Sequence, residues 1–213
     1  MSDMQSEPPF VDDARLPSTL EVWRRSEHKR TALALFVFST CVYFLTAPGR
    51  IDIIDGAIRF DVTHNLIELG RPLVTHKLPA VQAQNLDFYA FYQLGTSLLA
   101  MPFVLLARLL APGSINAEQF AFTLTTVPFA GALSSLTYLT WVRLGLTRER
   151  ARNWAFLHAF GSLIWAYAGS SFDLAPQAFF LFLGIVYGAE ALTTNSRGCA
   201  ALSGLGFLGL ATT

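Results

Sequence analysis

The residues best placed to do chemistry begin with Asp55. It opens the segment 55–70, DGAIRFDVTHNLIELG, and Arg59 follows four residues later. A positioned carboxylate can accept a proton, and a positioned guanidinium can stabilise developing negative charge. Residues four apart on a helix face one another, so the two can also simply pair. Asp173 is the second carboxylate of interest. Ser170 and Ser171 precede it and Pro176 follows, which is also the pattern of a helix N-cap. Between these acids lie Arg71, Lys77 and an aromatic run of Phe88, Tyr89, Phe91 and Tyr92. Arg71 and Lys77 can meet a phosphate, or only the headgroups of a lipid surface. Asp55 and Asp173 are therefore the carboxylates to place and Arg59 and Lys77 the cations, while the aromatic run, Tyr92 included, reads by itself as an interfacial belt. The plainer alternative is that both acids only cap helices.

An element must hold Asp55 in place, and the spacing predicts one. Ile58, Val62, Leu66 and Leu69 recur at helical intervals, and Arg59, Asp61, Thr63, His64, Asn65 and Glu68 cover the rest. Asp55 falls where an N-cap belongs and Gly70 where a helix stops. The segment reads as a short amphipathic helix suited to a membrane interface. Its N-terminus offers free N–H groups and the positive end of the helix dipole.

Composition supplies the setting. Of 213 residues, 53% are hydrophobic and 14% charged, against roughly 25% charged in soluble domains. The 15 basic and 15 acidic residues cancel, so net charge points to no partner, and no basic patch suggests nucleic acid. The 18 Phe exclude disorder, and two cysteines inside apolar runs exclude a disulfide scaffold. The chain reads as an all-α, polytopic membrane protein. Charge-free stretches cover 31–49, 88–107, 119–142, 153–172 and 174–189, and another starts at 198. A bilayer core of about 30 Å needs about 20 apolar helical residues.

Arg24, Arg25, Lys29 and Arg30 abut the first run, which puts the N-terminus in the cytoplasm. Residues 1–30 are then a polar cytoplasmic tail and 31–213 the membrane domain. The next basic cluster is Arg143, Arg148, Arg150 and Arg152, and it returns to the cytoplasm only if one earlier run fails to cross. The weakest run is 88–111, with Pro102 inside it, Arg108 near its end and Pro112-Gly113 closing it. The expected spans are 31–48, 118–142, 153–171, 175–193 and 198 onward, with an outer loop of about 49–117. Asp55 and Asp173 then share the outer side. The alternative is a full crossing by 88–111, with the arginine cluster outside. His158 and Glu190 lie within spans but near their ends, where water reaches. The four His lack the spacing of a zinc site. The chain stops inside an apolar run, so the protein is expected to continue beyond Thr213.

These parts resemble a known family. The segment fits D-[EG]-x-x-R-[FY]-x-x-T-x-x-L-x-x-x-G through Asp55, Gly56, Arg59, Phe60, Thr63, Leu66 and Gly70. Ser97, Leu98, Leu99, Pro102 and Phe103 match the S-L-L-x-x-P-F that follows. Over about 31–213 the chain is similar to the N-terminal part of the GT-C membrane glycosyltransferases, in the bacterial branch related to aminoarabinose and protein mannosyl transferases.

The resemblance implies outer-loop helices parallel to a bacterial inner membrane. It implies transfer of a sugar from a polyprenyl-phosphate carrier, at the outer face, to a hydroxyl or amine of an acceptor the sequence does not name. Asp55 becomes the general base of an inverting transfer and Asp173 the second acidic residue. Phe91 stands where many relatives carry Lys, which leaves Arg59 or Lys77 as the phosphate clamp, and makes Arg59, Lys77 and Tyr92 the implied substrate-binding groups beside the catalytic pair Asp55 and Asp173. Membrane lipid and the lipid-linked sugar are the implied partners. Some branches use a divalent metal, although no ligand set in this sequence demands one. The competing reading is a non-catalytic membrane scaffold, transporter subunit or pseudoenzyme.

Overall fold

A computed structural model describes residues 17–75, 80–82 and 87–213. The chain is mostly helical. Helix α1 (Thr19–Arg24) starts in a capping box: the Ser18 hydroxyl accepts from the Glu21 N–H at 3.0 Å, and the Glu21 carboxylate accepts from the Ser18 N–H at 2.8 Å. Helix α2 (Ser26–Thr46) follows at once, so the expected polar tail is already helical from Thr19. Helix α3 (Ile54–Leu69) ends at Gly70, whose φ of 66° closes the helix in the left-handed conformation. Strands β1 (Val81–Gln82) and β2 (Phe88–Tyr89) form an antiparallel pair. The remaining helices are α4 (Gly95–Leu110), α5 (Ile115–Thr123), α6 (Val127–Arg143), α7 (Arg148–Phe160), α8 (Leu163–Ala168), α9 (Leu174–Thr194) and α10 (Arg197–Thr212).

Three helical stretches are long and apolar enough to cross a membrane: α2, the stacked α5–α6 and α9. Their partners set the direction of each. His28 Nδ1 lies 3.0 Å from the Tyr138 hydroxyl, and the Ser135 hydroxyl donates to the Ala32 carbonyl at 2.6 Å, so α2 and α6 run antiparallel. With the α3 end taken as upper, α6 descends. Helix α7 rises from Arg148, which donates to Thr31 at 3.0 Å, towards Ala159, whose carbonyl accepts from Tyr43 at 2.9 Å. Helix α9 descends, and α10 rises until Thr213 accepts from Thr96 at 3.3 Å.

Packing along these contacts relies on small residues. Ala130, Ala159, Ala168 and Ala175 join Tyr43 and Val127 in one core cluster, which lets helix backbones approach closely. Large apolar side chains point outward instead: Phe38, Leu45, Leu109, Leu192 and Phe207 are all exposed. That inside-out pattern suits lipid rather than water.

Two expected spans are built differently. The stretch 153–171 is not one helix, because Gly161-Ser162 divides α7 from α8 and the Ser162 hydroxyl caps the new start at Ile164. The expected 118–142 helix starts earlier, at Ile115, and changes to a 3-10 turn over Leu124–Thr126 before Pro128 restarts it. Helix α4 runs unbroken through Pro102. Its 16 residues give about 24 Å of length. Both of its ends rest on α3: the Ser97 hydroxyl donates to the Arg59 carbonyl at 3.2 Å, and Arg108 Nη1 meets Glu68 at 2.7 Å.

Candidate active site

Helix α3 is seated between two apolar clusters. Phe60 packs with Ala100, Val104 and Phe122 on one side, and Ile58 and Val62 pack with Val74 on the other. Its buried residues also include Arg59, Thr63 and Asn65. The helix is therefore clamped by protein on two sides. It also starts one residue before the expected cap. Ile53 takes the N-cap position without a side-chain bond, and Asp55 sits in the first turn. There its charge faces the positive end of the helix dipole.

Asp55 does not pair with Arg59. Its carboxylate accepts a hydrogen bond from the Tyr92 hydroxyl. Arg59 reaches across to Asp173, with Nη2 at 2.8 Å from Oδ2 and both side chains under a tenth exposed. The Tyr92 ring covers the guanidinium, with Arg59 Cζ 4.5 Å from the ring centroid. Arg59 Nε and Nη1 are buried and have no hydrogen-bond partner among the described residues. Tyr92, expected to bind substrate, thus bridges the two groups most suited to chemistry.

Asp173 occupies the N-cap position of α9, but its side chain makes no cap bond. It takes Arg59 instead, along with the Gln177 amide at 2.8 Å. Burial pushes the Asp173 carboxyl above its usual range, and the Arg59 charge only partly opposes this. Burial also raises the Tyr92 phenol, reinforced by its bond to Asp55.

A third carboxylate belongs to the site and has no motif. Asp52 accepts from the Ser171 hydroxyl at 2.6 Å and from the Ser170 hydroxyl at 3.2 Å. Burial raises the Asp52 carboxyl, but these bonds outweigh it and hold the group below its usual range. Gly56 lies in the same contact. A Cβ there would stand 2.3 Å from the Ser171 hydroxyl oxygen, so no larger residue fits without displacement. The Thr126 hydroxyl donates to the Ala168 carbonyl at 2.6 Å, which fixes the approach to Ser170 from the 3-10 turn. Local sequence offers one hint of this contact, the Ser-Ser pair beside Asp173.

Below α3 lies an ionic cluster that spacing did not reveal. Glu118, buried, takes Arg108 Nε at 2.9 Å and His64 Nδ1 at 2.9 Å, while Arg108 also holds Glu68. It ties α3, α4 and α5 together. Arg71 is exposed and pairs with Asp87 and Tyr89. Lys77 lies outside the described residues. Glu190 is fully buried at the lower end, not wetted: it accepts from the Thr19 N–H at 2.9 Å, with Cys199 at 3.2 Å and Arg143 at 3.8 Å. His158 lines a separate groove together with Trp141 and Trp154. Among the described residues no group of three His, Cys, Asp or Glu is gathered to hold a metal ion.

A cavity of about 410 Å³ opens beside the start of α3, lined by Asp52, Ala57, Phe60, Asp61 and Gln119 among others. Asp55 and Arg59 do not line it. At Asp55 the arrangement holds an O–H against a carboxylate, the geometry of proton transfer to a base. At Arg59 it holds a cation with unused donors, the requirement for an anion site. Compared with protein-family models, curated proteins and solved structures, the chain matches none.

Proposed function

We propose that the chain is part of a membrane glycosyltransferase that moves a sugar from a polyprenyl-phosphate carrier to an acceptor at the outer face. The observation that carries this reading is the convergence of Asp55, Tyr92, Arg59 and Asp173 at one end of the helical bundle. A base, a cation and a second carboxylate meet there although they are far apart in sequence. The same end holds α3 and α4, whose contacts support an outer loop that does not cross. The bundle then has five crossings and a cytoplasmic N-terminus, in a bacterial inner membrane.

In this mechanism Asp55 accepts the proton of the acceptor's nucleophilic group. The acceptor atom bonds to the anomeric carbon from the side opposite the carrier. The bond between that carbon and the carrier oxygen breaks, its electron pair stays on the phosphate, and the configuration inverts. Arg59 stabilises the charge that grows on the departing phosphate, as a preorganised cation does in a water-poor site. Asp173 holds and orients the guanidinium. The carrier's isoprenoid tail stays in the bilayer, which is why such a site belongs at the membrane surface.

The test uses membranes carrying the full protein and radiolabelled polyprenyl-phosphate sugars supplied one at a time. Asp55→Asn is expected to lower transfer by about 10² to 10⁴-fold, the usual contribution of a general base, with membrane insertion unchanged. Transfer undiminished in Asp55→Asn refutes this role. No transfer by the wild type from any donor favours a scaffold or pseudoenzyme.

A further inference from the structure

We infer that Tyr92 occupies the place of the acceptor hydroxyl, so this structure is the closed state of the site and the 90–94 segment must swing away before substrates enter. The inference rests on the glycosyl-transfer reading for the identity of the displaced ligand, not for the closure itself. The Tyr92 hydroxyl donates to the Asp55 carboxylate, which is the bond an acceptor hydroxyl must make before it gives up its proton. The same ring lies 4.5 Å from Arg59 Cζ and closes one face of the guanidinium. Beneath it, Arg59 Nε and Nη1 are buried with no hydrogen-bond partner among the described residues. Buried donors are ordinarily satisfied, so an anion that reached them would gain two charge-assisted bonds. One side chain therefore masks both the base and the cation.

Its position allows it to move. Residues 90–94 form no helix or strand between β2 and α4. Phe91 beside it lies tilted against Tyr92 at 4.3 Å between centroids and is 57% exposed, and Tyr92 meets the Ile58–Val62–Val74 cluster only as a partly buried edge, so opening costs that edge and no fully buried side chain of the segment. The neighbouring cavity reaches Asp52 and Asp61 but not Asp55 or Arg59. A neutral O–H fits the vacated point better than an ammonium, because the Arg59 charge lies directly beside it.

Two readouts test this on the full protein in detergent. The first is carbodiimide labelling of Asp55, followed by mass spectrometry. Tyr92→Phe removes the hydroxyl and Tyr92→Ala removes the ring as well. Both are expected to raise the labelling rate roughly tenfold, the effect of freeing a hydrogen-bonded carboxylate. The second is binding of farnesyl phosphate, with farnesol as the control without phosphate. Tyr92→Ala is expected to bind farnesyl phosphate about tenfold more tightly, because the closed state no longer competes, whereas Tyr92→Phe stays near wild type. Unchanged labelling in both variants, or weaker farnesyl phosphate binding in Tyr92→Ala, overturns the inference and makes Tyr92 a ligand-holding residue. If Tyr92→Ala fails to fold, Tyr92→Leu gives the same readouts. Faster labelling without phosphate-dependent binding in any variant keeps the closure and removes the polyprenyl-phosphate reading.

Discussion

Arg59 on α3 and Asp173 at the head of α9 meet at 2.8 Å, with side chains 7% and 3% exposed. An ion pair in water contributes little, but one partner left alone in a buried place is costly. Asp173→Asn is expected to destabilise the protein by about 3 kcal/mol, because the Arg59 charge loses its counterion. Arg59→Leu in the same background should recover part of that loss. A double-mutant cycle on thermal unfolding in detergent measures the coupling, and a cycle summing to zero would show that the pair does not hold α3 to α9.

Asp52 gives the site a pH dependence whose sign can be worked out. Its folded-state value lies below the ordinary 3.8, because the Ser171 and Ser170 hydroxyls outweigh its burial. Stability from such a group is present above the unfolded value and is lost as pH falls through the folded one. Asp173 acts in the opposite direction. Its raised value makes the folded state the better proton acceptor, so its part of the stability falls as pH rises from the unfolded value through the folded one. The wild-type curve mixes the two, and the difference between wild type and Ser171→Ala isolates Asp52. That difference is expected to be level near neutral pH and to shrink as pH falls below 3.8. A difference that grows in acid contradicts the bond.

Gly56 is where α3 touches the 170–173 segment. Its missing Cβ is what admits the Ser171 side chain, whose Oγ and Cβ lie 2.3 and 2.6 Å from that point. Gly56→Ala gains a little helix propensity, about 1 kcal/mol. It also forces apart two elements that hold Asp52, Arg59 and Asp173. Overpacking of this kind costs about 1–3 kcal/mol, so net destabilisation with loss of transfer is expected. Ser171→Gly in the Gly56→Ala background should recover part of both, less what the lost Asp52 bond contributes, and no recovery at all would place the damage elsewhere.

Local rules made some of this legible and misled elsewhere. The course of α3 follows from its periodicity and its end from Gly70, although its start lies ahead of Asp55, and the apolar runs follow from the absence of charge. The partner of Arg59 did not. The i, i+4 rule favours Asp55, and the fold gives Arg59 to Asp173. Burial settles the competition: an exposed pair four residues apart gains a few tenths of a kcal/mol, while a guanidinium drawn into the bundle must have its carboxylate there. Asp52 was invisible for a related reason, since its partners Ser170 and Ser171 are brought to it by a tertiary contact. The division at Gly161-Ser162 had a local signal, a glycine followed by a capping serine. The length of the apolar run obscured it.

The orientation of the bundle makes the final prediction. Arg71 and Asp173 lie with α3 at the upper end, and Arg150 lies at the lower end with the start of α2. If α4 crossed the membrane, the helix after it would need to begin at the opposite end. Yet Arg108 at the end of α4 and Glu118 at the start of α5 both meet α3 through His64 and Glu68. Helix α4 therefore runs alongside α3 from Arg59 to Glu68, and the proposed topology puts both helices in the outer loop. In a background with Cys41 and Cys199 replaced by Ser, Arg71→Cys is expected to react with an impermeant thiol reagent in intact cells. Arg150→Cys is expected to react only after the membrane is opened. Labelling of both in intact cells would mean that these ends face the same compartment, and the proposed crossing pattern would fall with it.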